Sequence, residues 1–164
     1  GVATPSNADK ACCEHIGFPY YIYSLSVDNW VCIEPSGWKT PSLIGRKFIW
    51  GKYDCWSVVT DWYKENKNII IPDWQRPKTI KQFSENPEFE YALPKLKFQK
   101  CNSNNNLQIG DVLLFEGRKK LLNHVAVYIG DMMILNHSIR SLSCREFYGL
   151  KYQKALRGVY RYAA

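Results

Sequence analysis

Residues 45–68 read GRKFIWGKYDCWSVVTDWYKENKN, and the parsing of this stretch decides the fold. From Cys55 onward the apolar period changes. Cys55, Val58, Val59, Trp62 and Tyr63 fall at i, i+3, i+4, i+7 and i+8, which is one face of an amphipathic helix. Asp54 stands at the N-cap position, and Asn66 and Asn68 close the pattern. Cys55 therefore enters the first turn of a helix, where unpaired backbone N–H groups and the helix dipole are expected to stabilise a thiolate and lower its pKa. A nucleophile placed this way is halfway to catalysis. The competing reading is a buried cysteine packed in line with Val58 and Trp62.

Downstream, residues 69–106 carry Pro72, Pro77, Pro87 and Pro94 and read as irregular, with one short helix around Thr79 to Ser84. The final third is β-rich. Asp111 to Phe115 reads as a strand, Val125 to Ile129 and Met132 to Asn136 as two strands around a Gly130-Asp131 turn, and Gly158 to Tyr162 as another. Upstream, Ser6 can cap a short helix through Cys13 or His15. Residues 19–25 form a strand, and Val27 to Ile33 returns after an Asp28-Asn29 turn. Glu34-Pro-Ser-Gly and Thr40-Pro41 break the pattern and place a boundary near residue 40. A helix followed by a sheet implies an α+β domain.

The chain has 164 residues, of which 46% are apolar, so it can bury a core. No apolar run approaches the length of a transmembrane helix. GVATPSNADK lacks the basic and apolar regions of a secretory signal. It begins without Met, so a fragment or processed product is expected. The formal charge of +7 suits an anionic partner. Lys and Arg are scattered, however, and the densest cluster is only Arg118, Lys119 and Lys120, so nucleic acid is not expected as a partner. The six cysteines show no CxxC or CxxxC spacing, which argues against a structural zinc site. No metal or organic cofactor is expected.

His124 opens an apolar strand, and the hairpin that follows brings residues 136 and 137 alongside it. A base on one strand with its orienting partner on the next is the arrangement that Cys–His catalysis needs. The turn decides the partner. A two-residue Gly130-Asp131 loop pairs 124 with 137; an odd loop centred on Gly130 pairs 124 with 136. Asn136 and His137 are therefore rivals, because a one-residue slip exchanges the faces of the strand.

Three stretches together resemble the NlpC-type cell-wall cysteine peptidases. They are the segment from Gly45 to Trp56, the Gly-Asp strand from Ile109 to Phe115, and Asn123-His-Val-Ala-Val-Tyr-Ile-Gly-Asp131. The resemblance implies a papain-like core, in which a Cys-bearing helix packs on an antiparallel sheet carrying the base. It implies Cys55 as nucleophile, His124 as general base and Asn136, twelve positions on, as third residue, with His137 still open. The family's oxyanion tyrosine corresponds to Phe48, which has no hydroxyl, so the Cys55 N–H and the Tyr53 hydroxyl are the remaining donors. Trp50, Tyr53, Asp54 and Trp56 flank the nucleophile as substrate contacts. The implied reaction is endopeptidase cleavage of peptidoglycan stem peptides between D-glutamate and the diamino acid.

A longer pattern runs Glu34-Pro-Ser-Gly, Gly45-Arg-x-Phe, Asp54-Cys, Asn123-His, Leu142-Ser-x-Arg-Glu-x-Tyr148. It is similar to the tail-tip assembly proteins of lambda-like phages, in which a metalloprotease-like JAMM domain precedes the peptidase. Residues 1–40 then read as a partial JAMM-like segment. Its Ser6-Asn-Ala-Asp9 matches that motif and its His-x-His-Pro is absent, with the peptidase domain in 41–164. The expected setting is a virion tail tip acting in the host periplasm or cell wall, after synthesis in the host cytoplasm. Other tail-tip proteins are the expected partners. Two alternatives are an inactive structural tail subunit and a delivered toxin domain.

Overall fold

The computed structural model describes residues 3–74 and 76–163. The chain forms two compact units that divide between Pro41 and Ser42.

In the first unit, helix α1 (Asn7–Ile16) starts at Ser6. The Ser6 hydroxyl accepts from the Asp9 N–H at 3.1 Å, and the Asp9 carboxylate accepts from the Ser6 N–H at 2.8 Å. This reciprocal capping box satisfies two otherwise unpaired donors. Gly17, at φ 71°, ends the helix in the left-handed conformation. Strands β1 (Tyr20–Ser24) and β2 (Asn29–Ile33) pair antiparallel with Ser24 opposite Asn29. The turn is therefore residues 25–28 and not Asp28-Asn29, since Asn29 already pairs.

The second unit contains helices α2 (Cys55–Lys67), α3 (Ile80–Glu85), α4 (Phe89–Lys95) and α5 (Leu150–Ala155). Its strands are β3 (Phe98–Lys100), β4 (Val112–Phe115), β5 (His124–Gly130), β6 (Met133–Asn136), β7 (Cys144–Phe147) and β8 (Leu156–Tyr162). They form one antiparallel sheet in the order β3-β8-β4-β5-β6-β7. On one face, Val58, Val59 and Trp62 of α2 share a buried cluster with Leu114, Val125, Val127 and Leu135. On the other, Leu113, Phe115, Ala126 and Ile134 pack with Tyr148 and Tyr152. A sheet covered on both faces reads as continuous apolar runs, which is why β4 and β5 show no alternation.

Residues 69–106 hold more structure than expected. Helix α3 lies where a short helix was foreseen, with Thr79 and Gln82 forming its capping box. Helix α4 and strand β3 were not foreseen: α4 lacks a side-chain cap and carries Pro94 inside it. Strand β7 and helix α5 also escaped the reading. The strand is four residues long and α5 buries none of its residues, so neither has a strong apolar period.

Two motifs prove to be architectural. Gly45 donates to the Ser143 carbonyl at 2.7 Å, and the buried Arg46 pairs with Asp61 of α2 at 2.5 Å. Asp111, 1% exposed, binds both the Nε and Nη2 of Arg161 at 2.8 Å. Gly110 sits at φ 103°, where a Cβ would meet Trp62 and Tyr63 at 3.3 Å. The position demands glycine on both counts.

Candidate active site

Cys55 opens α2 and is 4% exposed. Asp54 builds the helix start beneath it. Its Oδ1 accepts from the Trp56 N–H at 3.1 Å, the Ser57 N–H at 2.9 Å and the Ser57 hydroxyl at 3.0 Å. Its Oδ2 accepts from the Gly51 N–H at 2.8 Å and pairs with Arg76. Asp54 is fully buried, and protein donors take up both of its oxygens. This corrects its assignment as a substrate contact: it is the cap and charge anchor of the helix. Trp56, 1% exposed, packs against Trp74, Phe89 and Phe98 and is likewise a core residue rather than a groove wall. Trp50 stays half-buried, with its indole N–H donating to the Pro77 carbonyl at 2.9 Å. Tyr53 is 8% exposed and its hydroxyl has no hydrogen-bond partner among the described residues.

The Cys55 thiol is not activated in the way its helix position implied. Burial pushes its pKa up to about 12, and the Asp54 charge adds to this. The backbone of Val125, the charge of Arg76 and the backbone of Trp56 pull the other way without prevailing. Desolvation of a thiolate here outweighs the helix terminus. The resting residue is a neutral thiol lying against the backbone of Val125, the residue that follows His124 in β5.

The hairpin register matches neither expectation. Gly130 pairs with Met133, so the loop is Asp131-Met132, at φ 50° and 58°. A register shift between Tyr128 and Gly130 leaves Ile129 as an extra residue, with Val127 opposite Leu135. Asn136 then falls beside Ala126, on the same face of the sheet as His124. The His124 Nε2 and the Asn136 Oδ1 lie 2.5 Å apart. The His124 ring also stacks on Phe115, centroids 6.1 Å apart. Burial lowers the His124 pKa, while the Asn136 hydrogen bond and the Glu146 charge oppose the fall.

His137 lies on the opposite face of the strand from Asn136 and does not face His124's partner. It is completely buried and packs edge-on against Phe48 with centroids 5.2 Å apart, close to the backbone of Arg46 and Ser141. Burial lowers its pKa as well.

Three polar residues of the site were missed by sequence reasoning. Arg76 lies in the proline-rich segment, and Glu146 and Tyr152 lie on β7 and α5, elements without an apolar signature. Only the longer tail-protein pattern held Glu146, with no role attached. The Asn136 Nδ2 donates to the Glu146 carboxylate and to the Tyr152 hydroxyl at 3.0 Å. Among the described residues no three His, Cys, Asp or Glu side chains gather as a metal-holding group, and no helix is long and apolar enough to cross a membrane.

Comparison with known proteins follows this architecture. Residues 45–161 match the NlpC/P60 family, from the glycine tied to Ser143 to the arginine tied to Asp111. Over 165 residues the chain is 27% identical to the tail tip assembly protein K of Escherichia phage N15, an alignment covering 96% of this chain and 64% of that protein. Over 124 residues it is 32% identical to the tail tip assembly protein K of Escherichia phage lambda, covering 76% of this chain and 61% of that protein. The chain thus spans less than two thirds of the length of either relative.

Proposed function

The chain belongs to the NlpC/P60 family, and from that premise we propose that it is a thiol peptidase of a phage tail tip that cuts peptidoglycan stem peptides. The observation that carries this reading is the 2.5 Å His124–Asn136 pair at the start of the strand whose next residue backs on the Cys55 thiol. The tail-tip setting and the other tail proteins as partners rest on the two relatives.

In the proposed reaction the neutral Cys55 thiol attacks an amide carbonyl between D-glutamate and the diamino acid. His124 Nδ1, which has no protein partner among the described residues, takes the thiol proton as the carbon–sulfur bond forms. Asp54 occupies the Trp56 and Ser57 amides, so the Cys55 N–H is the first-turn donor left for the oxyanion. The Tyr53 hydroxyl, without a partner among the described residues, supplies a second, where the family's tyrosine is replaced by Phe48. His124 returns its proton to the leaving amine, and water releases the acyl group. Residues 1–40 are proposed as the partial JAMM-like segment.

The test is digestion of purified sacculi, with mass spectrometry of the released fragments. The wild type is expected to create new stem-peptide termini, Cys55→Ala none, and Asn136→Ala about 10–100-fold fewer per unit time. A second reading, an inactive structural tail subunit, is favoured by Phe48 and by the buried thiol. It takes over if a folded wild type leaves both sacculi and soluble stem peptides intact.

A further inference from the structure

We propose that Glu146, assisted by Tyr152, is a positioning residue that fixes the amide orientation of Asn136 and thereby the tautomer of His124. The catalytic consequence rests on the peptidase reading; the structural one does not.

The two ends of an asparagine amide have nearly the same shape, so only its neighbours decide which end points where. One end of Asn136 faces three oxygens: the Glu146 carboxylate, the Tyr152 hydroxyl at 3.0 Å and the Ser138 hydroxyl at 3.3 Å. An ionised carboxylate only accepts. Tyr152 gives its single proton to Glu146 Oε2 at 2.6 Å, so toward Asn136 it too can only accept. Both neighbours therefore require N–H groups, and the amide nitrogen must lie on their side. The oxygen is left facing His124 Nε2 at 2.5 Å. An acceptor there demands a proton on Nε2, and a neutral imidazole carries only one. Nδ1 is left with the lone pair.

Glu146 is suited to this. Burial alone would raise its pKa, but hydrogen bonds from Tyr152 and Asn136 and the charge of Lys151 together hold it below the ordinary carboxylate value. The groups that bear on the charge of His124 come from three elements. Glu146 of β7 favours the protonated ring; His137, just past β6, and Lys151 of α5 disfavour it. Cys144, opposite Asn136 on β7, lies beside the Tyr152 phenol. Glutamine at 146 can donate or accept, so it removes both the charge and the rule that orients the amide.

The experiment is long-range proton–nitrogen NMR of histidine-labelled protein, with His124 assigned against a His124→Gln variant among the three histidines of the chain. In the wild type His124 is expected wholly as the Nε2–H tautomer. In Glu146→Gln both tautomers are expected, with the His124 titration midpoint lower by about 0.5–1 pH unit. Tyr152→Phe is expected to keep the Nε2–H tautomer, because Glu146 still demands a donor. A wild type carrying its proton on Nδ1 overturns the proposal without any variant. So does a folded Glu146→Gln whose tautomer and midpoint equal those of the wild type. If the tautomer behaves as expected while sacculi survive, the peptidase reading falls and this inference stands. If the tautomer is wrong in an active enzyme, the reverse holds.

Discussion

Cys55 and His124 are both kept neutral by the same cause, the loss of water around them. In the proposed reaction such a neutral pair moves the proton during attack rather than resting as an ion pair. The pH dependence follows from the signs. His124 must be unprotonated to accept the proton, and its pKa is lowered from 6.5, so the acid limb of kcat/KM is expected below pH 6.5. The thiol, raised to about 12, adds no limb near neutrality. Stem-peptide cleavage measured from pH 4.5 to 9 checks this. Activity that falls again as pH rises past neutrality, as an imidazolium deprotonates, would mean instead that a charged His124 rests beside a thiolate.

At the scale of the element, α2 depends on its first residue before the helix as much as on its apolar face. Fully burying side chains such as Val58, Val59 and Trp62 contributes roughly 1.5–3 kcal/mol each, but that face needs a defined start to meet the sheet in register. Asp54 provides it through hydrogen bonds to Gly51, Trp56 and Ser57 and its pairing with Arg76. Asp54→Ala removes the cap and leaves the buried Arg76 with Asp73 as its one carboxylate among the described residues. It is expected to cost roughly 3–5 kcal/mol, a fall in Tm of about 10 °C for a chain of this size. Thermal unfolding followed by circular dichroism measures it. A loss of only a degree or two would show that the sheet, not the cap, holds the helix end. The β5–β6 hairpin is the second decisive element. The extra residue at Ile129 settles which of two adjacent polar residues shares a face with His124.

Across the whole molecule, the sheet is covered on both faces, and desolvation lowers the pKa of two histidines, the half-buried His124 and the buried His137. The unfolded chain binds protons at both from about pH 6.5, the ordinary histidine value, whereas the folded chain resists until its lowered pKa values are reached. Stability is therefore expected to be intact above that range and to fall as pH drops below it. Urea midpoints at pH 7.5 and 5.5 test the sign. In His137→Leu the fall is expected to shrink, because the buried ring whose protonation burial disfavours is then gone. An equal fall in that variant would assign the acid sensitivity elsewhere.

What was legible in the sequence is what period and spacing encode locally. Asn136 as third residue rested on the family resemblance, since the residues alone left His137 its equal; the face of α2, the Asp54 cap, the strands β4 and β5 and the Ser6 cap could all be read from neighbours along the chain. Three things could not. The hairpin register hung on one unpaired residue, and Ile129 looks like any other strand residue until Leu135 is set opposite Val127. The protonation of Cys55 hung on desolvation, which depends on what covers the thiol from distant parts of the chain; the helix dipole alone suggested the opposite sign. The outer contacts of Asn136, from Glu146 and Tyr152, come from a short strand and a short helix that bury too little to leave a pattern. The sequence by itself determined the elements with a strong local period, such as α2, β4 and β5, and the residue types that stand at their ends, because those are local energies. Only the tertiary structure decided which face each side chain takes, which charges survive burial and which donor meets which acceptor, because those depend on residues far apart in the chain.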